Sequence, residues 1–186
     1  MQELTEDKIY QILEQKYPEL LLDYVLLSCE HDYLGEETHK QAVITAISAF
    51  NHRKRVGNNL NPPHFYVKEE NMHGIRYSIQ DFFSDTESTW QILSEHCRAR
   101  ETPSHMTYWQ AFSEPPYTIP YTKNDFHKIN HLLFPVQFRN ALEIYSWNAD
   151  FSNYFDDGKE WWGTALWSIY DKFMQRFVII GASLTD

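Results

Sequence analysis

Glycine is scarce in this chain: six residues, at positions 35, 57, 74, 158, 163 and 181, among 186. No two of them sit close enough to cradle a phosphate between backbone N–H groups, so a glycine-rich nucleotide loop is excluded. The nucleophile elbow Gly-x-Ser-x-Gly is missing too. Gly181-Ala182-Ser183 follows a strand-like run, but no second glycine completes it. Cysteine is limited to Cys29 and Cys97, without the spacing of a disulfide framework. Both lie in apolar surroundings and read as buried free thiols, which points to a reducing compartment. Cys29-Glu30-His31 and Glu95-His96-Cys97 lack the two-residue gap of a chelating loop, and on a helix His96 points about 100° away from Cys97.

Long apolar runs are also lacking. The longest, LLLDYVLLSC (20–29), is broken by Asp23 and too short to span a bilayer. The first fifteen residues have neither a basic region nor an apolar core of the signal-peptide kind. The expectation is a cytoplasmic protein with no membrane partner. Bases are few: sixteen Lys and Arg against twenty-six Asp and Glu, for a net charge of −10. Residues 1–37 hold ten acids and two bases, a balance of −8; the remainder holds sixteen and fourteen, a balance of −2. Such a surface disfavours nucleic acid and anionic lipid and suits a basic protein partner. The one basic run, HRKR (52–55), falls where a helix C-terminus prefers positive charge.

Aromatic residues, by contrast, are abundant: six Trp, twelve Tyr and twelve Phe, more than a minimal core requires. Some of these rings are expected at the surface or along a cleft. The periodicities predict a first helix capped by Thr5, with Ile9, Ile12, Leu13 and Tyr17 on one stripe. Residues 19–31 are apolar nearly all round and read as a buried helix, with a strand as the alternative. A helix over 37–54 follows, carrying Val43, Ala46, Ile47 and Phe50 at helical spacing. Residues 64–79 read as a hairpin, with Phe65 and Val67 alternating on one arm and Ile75, Tyr77 and Ile79 on the other. Ser84 and Glu87 form a capping box for a helix near 86–99 with Trp90, Leu93 and Cys97 inward. The proline-rich, ring-rich stretch 101–124 reads as an ordered loop or lid, and a short helix covers 124–133. ALEIYSW (141–147), TALWSIYD (164–171) and RFVIIGAS (176–183) are strand-like, with a turn over 171–175. The fold class expected is α+β: N-terminal helices packed on a mainly antiparallel sheet that includes a C-terminal three-stranded meander, in one domain over 1–186.

His127 and His131 share a helix face, but without a glutamate at the position zinc hydrolases use, so no metal and no cofactor is expected. Asp150, Asp156, Asp157 and Glu160 lie between Trp147 and Trp161–Trp162, a mixture that suits carbohydrate chemistry. Asp157-Gly158 is equally ordinary turn chemistry, with glycine supplying a positive φ. Two functions follow. The first is a non-catalytic protein-binding domain, of the general composition of bacterial immunity proteins that neutralise a basic toxin. Glu3, Glu6, Asp7 and Glu14 would steer the partner, and Trp109 and Trp161 would anchor it. The alternative is a small-ligand or carbohydrate-processing enzyme with its cleft between residues 102–122 and the C-terminal sheet. There Asp156, Asp157, Glu160, His127 and His105 would supply acid and base, beside Trp109 or Trp161.

Overall fold

A computed structural model describes residues 1–56, 64–85, 106–114, 120–160 and 163–184. Six strands form one sheet: β1 (Gln2–Glu3), β2 (Asp23–Ser28), β3 (Gly74–Tyr77), β4 (Leu142–Trp147), β5 (Gly163–Asp171) and β6 (Arg176–Leu184). Their order is β1-β2-β6-β5-β4-β3, and every neighbouring pair is antiparallel. The fold is α+β, and β4, β5 and β6 form the C-terminal meander that the alternation predicts.

Helices cover both faces. On one lie α1 (Lys8–Lys16), α3 (Ile79–Phe82), α4 (Tyr108–Ser113) and α5 (Lys123–Leu133), packed on Tyr24, Leu26, Ile144, Trp167, Ile169, Val178 and Ile180. On the other, α2 (Glu36–Val56) packs Val43, Ala46, Ile47 and Phe50 against Val25, Leu27, Leu166, Phe177 and Ile179. Consecutive strand residues point to opposite faces. A doubly covered strand must therefore be apolar at odd and even positions alike.

That requirement explains the main departure from the sequence expectation. Residues 19–31 do not form a helix; they contain β2, whose Val25, Leu26 and Leu27 are fully buried. A strand buried on both sides shows the same unbroken apolar run as a buried helix, and only its six-residue length distinguishes it.

Smaller corrections have equally local causes. The cap of α1 is Asp7, which accepts from the Ile9 N–H at 2.9 Å. A turn closed by Asp7 N–H on the Leu4 carbonyl (3.0 Å) places Thr5 before the helix rather than at its start. The 64–79 hairpin does not form: Val67 bridges Ser152, a 3-10 turn occupies Glu69–Asn71, and β3 pairs with β4. Tyr108–Ser113 is helical, begun by a capping box between Thr107 and Gln110. Gly158 lies inside a short helix, α6 (Asp156–Glu160), without a positive φ. Close approach is what demands glycine there, since a Cβ would stand 2.5 Å from the Gly163 carbonyl oxygen. The helix expected near 86–99, with Glu87, Trp90, Leu93 and Cys97, lies outside the described residues. Among the described residues, no helix is long and apolar enough to cross a membrane.

Candidate functional site

The pairing register aligns Ser28, Arg176, Asp171 and Leu142 in one row across the sheet. The segments beyond that row therefore gather at one end: residues 29–35 after β2, 172–175 between β5 and β6, and a 3-10 turn over Val136–Ala141 before β4. The Cys29 N–H donates to the Gln175 carbonyl at 2.9 Å and ties the first two segments together. Four of the six exposed large apolar side chains among the described residues sit at this end: Leu34 (72%), Phe173 (67%), Val136 (54%) and Met174 (43%). The Phe138 ring lies 5.1 Å from that of Phe173 and joins the turn to the hairpin tip. Apolar side chains are unusual in a β-turn, where polar ones are the norm.

The 29–35 segment is held from beneath by a buried hydrogen-bond chain. Tyr33 stacks on Tyr170 with ring centres 4.2 Å apart. Its hydroxyl donates to Glu143 Oε2 at 2.9 Å and lies 3.0 Å from His39 Nε2. The other imidazole nitrogen, Nδ1, lies 2.7 Å from Ser168 Oγ, which accepts from the Trp147 indole at 2.8 Å. With His39 neutral, one proton arrangement satisfies all four contacts. Trp147 donates to Ser168, Ser168 to His39 Nδ1, His39 Nε2–H to Tyr33, and Tyr33 to the Glu143 carboxylate. Burial holds His39 in that neutral form, pulling its pKa down to about 3 despite the nearby Glu143 charge. At Glu143 burial works to raise the pKa, but hydrogen bonds from Lys172 (2.5 Å) and Tyr33 and the charge of Arg76 (3.3 Å) leave the carboxyl below its usual range.

Ser168 and His39 are spaced like a nucleophile and its base. Ser168 is nonetheless fully buried, with its lone pair on the indole and its proton on the imidazole. No face is left for a substrate. The chain is a strut that fixes the segment above it. Gly35 completes that segment with φ +68°, a conformation few other residues adopt. Its carbonyl accepts from the Thr38 and His39 N–H groups, and Thr38 Oγ1 accepts from the Leu34 N–H at 2.8 Å.

On this fixed segment and the start of α2 stand Glu30, Asp32, Glu36 and Glu37. All are exposed, and none is ion-paired to a described residue. Glu30, Asp32 and Glu37 line a groove of about 460 Å³ with Leu34, Cys29 and Met1. Cys29 itself is buried and donates its thiol to the His31 carbonyl at 3.5 Å.

The residues singled out from sequence are dispersed. Glu3 pairs with Arg53 and accepts from the Tyr10 hydroxyl, so its charge is used internally. Asp7 caps α1 and lies 3.7 Å from Arg176. Glu6 and Glu14 are exposed. Trp109 is half-buried against Phe112 and Phe126. Asp156 and Asp157 are exposed on α6, which Glu160 closes, and Lys159 lies 3.8 Å from Asp156 and 3.4 Å from Asp150. His127 sits on α5, 3.1 Å from Asp85, whose carboxyl is kept low mainly by the hydrogen bond from Lys123. His131 places Nδ1 2.8 Å from the His127 carbonyl. The α6 segment packs beside Thr164 and Ser183 on the α2 side of the sheet, whereas α5 covers the opposite face. His127 and the α6 carboxylates therefore do not meet. His105 and Trp161 lie outside the described residues.

Sequence reasoning missed the rim of Glu30, Asp32, Leu34, Glu36 and Glu37 together with Phe173 and Met174. One signal was available: a Phe-Met pair inside the turn between two strand-like runs. No protein-family model matches the chain, and no curated protein matches it significantly.

Proposed function

We propose that the chain is a non-catalytic protein-binding protein that docks a basic partner at this end of the sheet, in the manner of an immunity-type inhibitor. The observation that carries the reading is the coincidence of unpaired acids with exposed apolar side chains on a rim ordered in advance by the Tyr33–His39–Ser168–Trp147 strut. Acidic side chains speed capture of a cationic surface, and desolvated apolar anchors supply most of the affinity. A rim that is already fixed loses little conformational entropy on binding. The carbohydrate-processing alternative has less behind it, because its carboxylates on α6 and His127 on α5 stand on opposite faces of the sheet.

The test is retention of a basic protein from cell extract by the immobilised chain at low and high salt. Two variants accompany it: the charge reversal Glu30→Lys/Asp32→Lys/Glu37→Lys, and the apolar variant Phe173→Ser/Met174→Ser. Wild type should retain a basic protein that salt elutes, and both variants should lose it. Equal retention by both variants, or a partner indifferent to salt, overturns the proposal.

A further inference from the structure

A second buried polar cluster lies under the 172–175 hairpin tip, on the face of the sheet opposite His39. Asp171 and Arg176 are partners on the rung of the β5–β6 ladder next to the turn, so their side chains stand on the same face. They are 1% and 5% exposed. Each is only partly engaged. Asp171 Oδ1 accepts from the Phe173 and Met174 N–H groups at 2.9 and 3.0 Å and so shapes the tip. Arg176 Nη2 donates to the Leu133 carbonyl at 2.6 Å, at the end of α5. Its Nη1 lies 3.7 Å from the carboxylate of Asp7, the cap of α1. The remaining atoms, Asp171 Oδ2 and Arg176 Nε, are buried without a hydrogen-bond partner among the described residues. The guanidinium nonetheless feels the carboxylate. Burial lowers its pKa, and the charges of Asp7 and Asp171 work against that shift.

A buried acceptor and a buried donor, unbonded on facing side chains, cost free energy that native interiors seldom leave uncompensated. What joins them must accept from Nε–H and donate to Oδ2. A metal ion accepts nothing from an N–H group and is repelled by the guanidinium. An anion is repelled by the carboxylate and brings it no proton. An ammonium ion has no lone pair for Nε–H. Water meets both demands, and internal waters bind roughly two to four such groups. We infer that Asp171 and Arg176 hold one buried water molecule between them, a bridge that ties the hairpin tip to the start of α1 and the end of α5. A bridging water is nearly as good a link as a direct hydrogen bond. The Tyr33–Glu143 contact steadies the neighbouring 29–35 segment from the other face, so each of these two rim segments rests on its own buried polar link. The bridge does not depend on the docking reading, because it holds the tip whatever the tip meets.

The test uses the full chain, isotopically labelled on its arginine side chains for magnetic resonance. The Arg176 Nε–H should show cross-relaxation with water whose sign inverts in the rotating frame, the signature of a held water rather than of proton exchange. Relaxation dispersion of oxygen-labelled water counts the long-lived internal molecules. That count should fall by one in Asp171→Asn/Arg176→Met, where the amide oxygen still accepts from the tip and neither side chain carries a charge. The Phe173 and Met174 amides of the double variant should exchange with solvent at least about tenfold faster. A coupling through a hydrogen bond from Arg176 Nε to the Asp171 carboxyl carbon would reveal a direct ion pair and overturn the inference. No water contact at Nε–H, a contact of the short-lived surface kind, an unchanged water count or unchanged exchange at the tip also overturns it. The water contact and the coupling are read on the wild-type chain and decide the matter even if the double variant fails to fold.

Discussion

Glu3 and Asp7 turn their charge inward, whereas Glu30, Asp32, Glu36 and Glu37, only a few dozen residues later, turn theirs out. Glu3 neutralises Arg53 and takes the Tyr10 proton, in surroundings where burial raises the Tyr10 pKa to about 12. Asp7 starts α1 and faces Arg176. The later acids have no such cation, and the segment bearing them is fixed by contacts that leave their carboxylates free of ion pairs with described residues. Two acids of the same type in the same third of the chain thus do opposite things. What separates them is whether the fold brings a cation across the sheet edge. A net charge cannot express that difference; only a pairing list can.

Breaking the strut under the outward acids should have the largest effect. Ser168→Ala leaves the Trp147 indole and His39 Nδ1 without partners in a dry interior, and urea unfolding should show a loss of about 2–4 kcal/mol. Acid should act through the same place. The His39 ring titrates near 6.5 when unfolded and at about 3 when folded. Above pH 6.5 it is neutral in both states and its contribution is intact. As pH falls below 6.5 only the unfolded chain gains the proton, so stability declines by up to about 1.4 kcal/mol per pH unit, or about 3 kcal/mol by pH 4.5. Subtracting the stability–pH curve of His39→Gln from that of wild type isolates this slope, and parallel curves would show that His39 does not titrate as described. Among the inward acids, Asp7→Ala should cost about 1 kcal/mol through the lost cap. The smallest effect belongs to the outward acids: Glu30→Gln, Asp32→Asn and Glu37→Gln should leave the urea midpoint unchanged or raise it slightly, as mutual repulsion is relieved. A clear loss of stability there would mean that these acids hold the fold, and the contrast between the two groups would collapse.

α2 and α5 were legible because each has one apolar stripe whose period shows in the sequence, and β5 and β6, though covered on both faces, because they are short β-branched and aromatic runs joined by a turn. β2, equally covered on both faces, lay in a longer apolar run without such punctuation and read as a buried helix. The β3–β4 pairing joins Gly74–Tyr77 to residues near 145, a distance no local pattern records. Of the proposed docking surface, the excess of acid before residue 37 was legible; that Arg53 and Arg176 arrive from elsewhere in the chain to meet Glu3 and Asp7 was not. The buried polar chain was invisible for the same reason, since its members come from positions 33, 39, 143, 147 and 168.

The centre of the sheet joins Asp23–Ser28 to Arg176–Gly181. During synthesis the fully apolar stretch of β2 leaves the ribosome long before the strand it needs has been made. Until then it is a bare, sticky ribbon, at risk of joining the wrong neighbour and in need of a chaperone's cover. A nascent chain stopped before Arg176 should therefore clump rather than fold, whatever the fate of its helices.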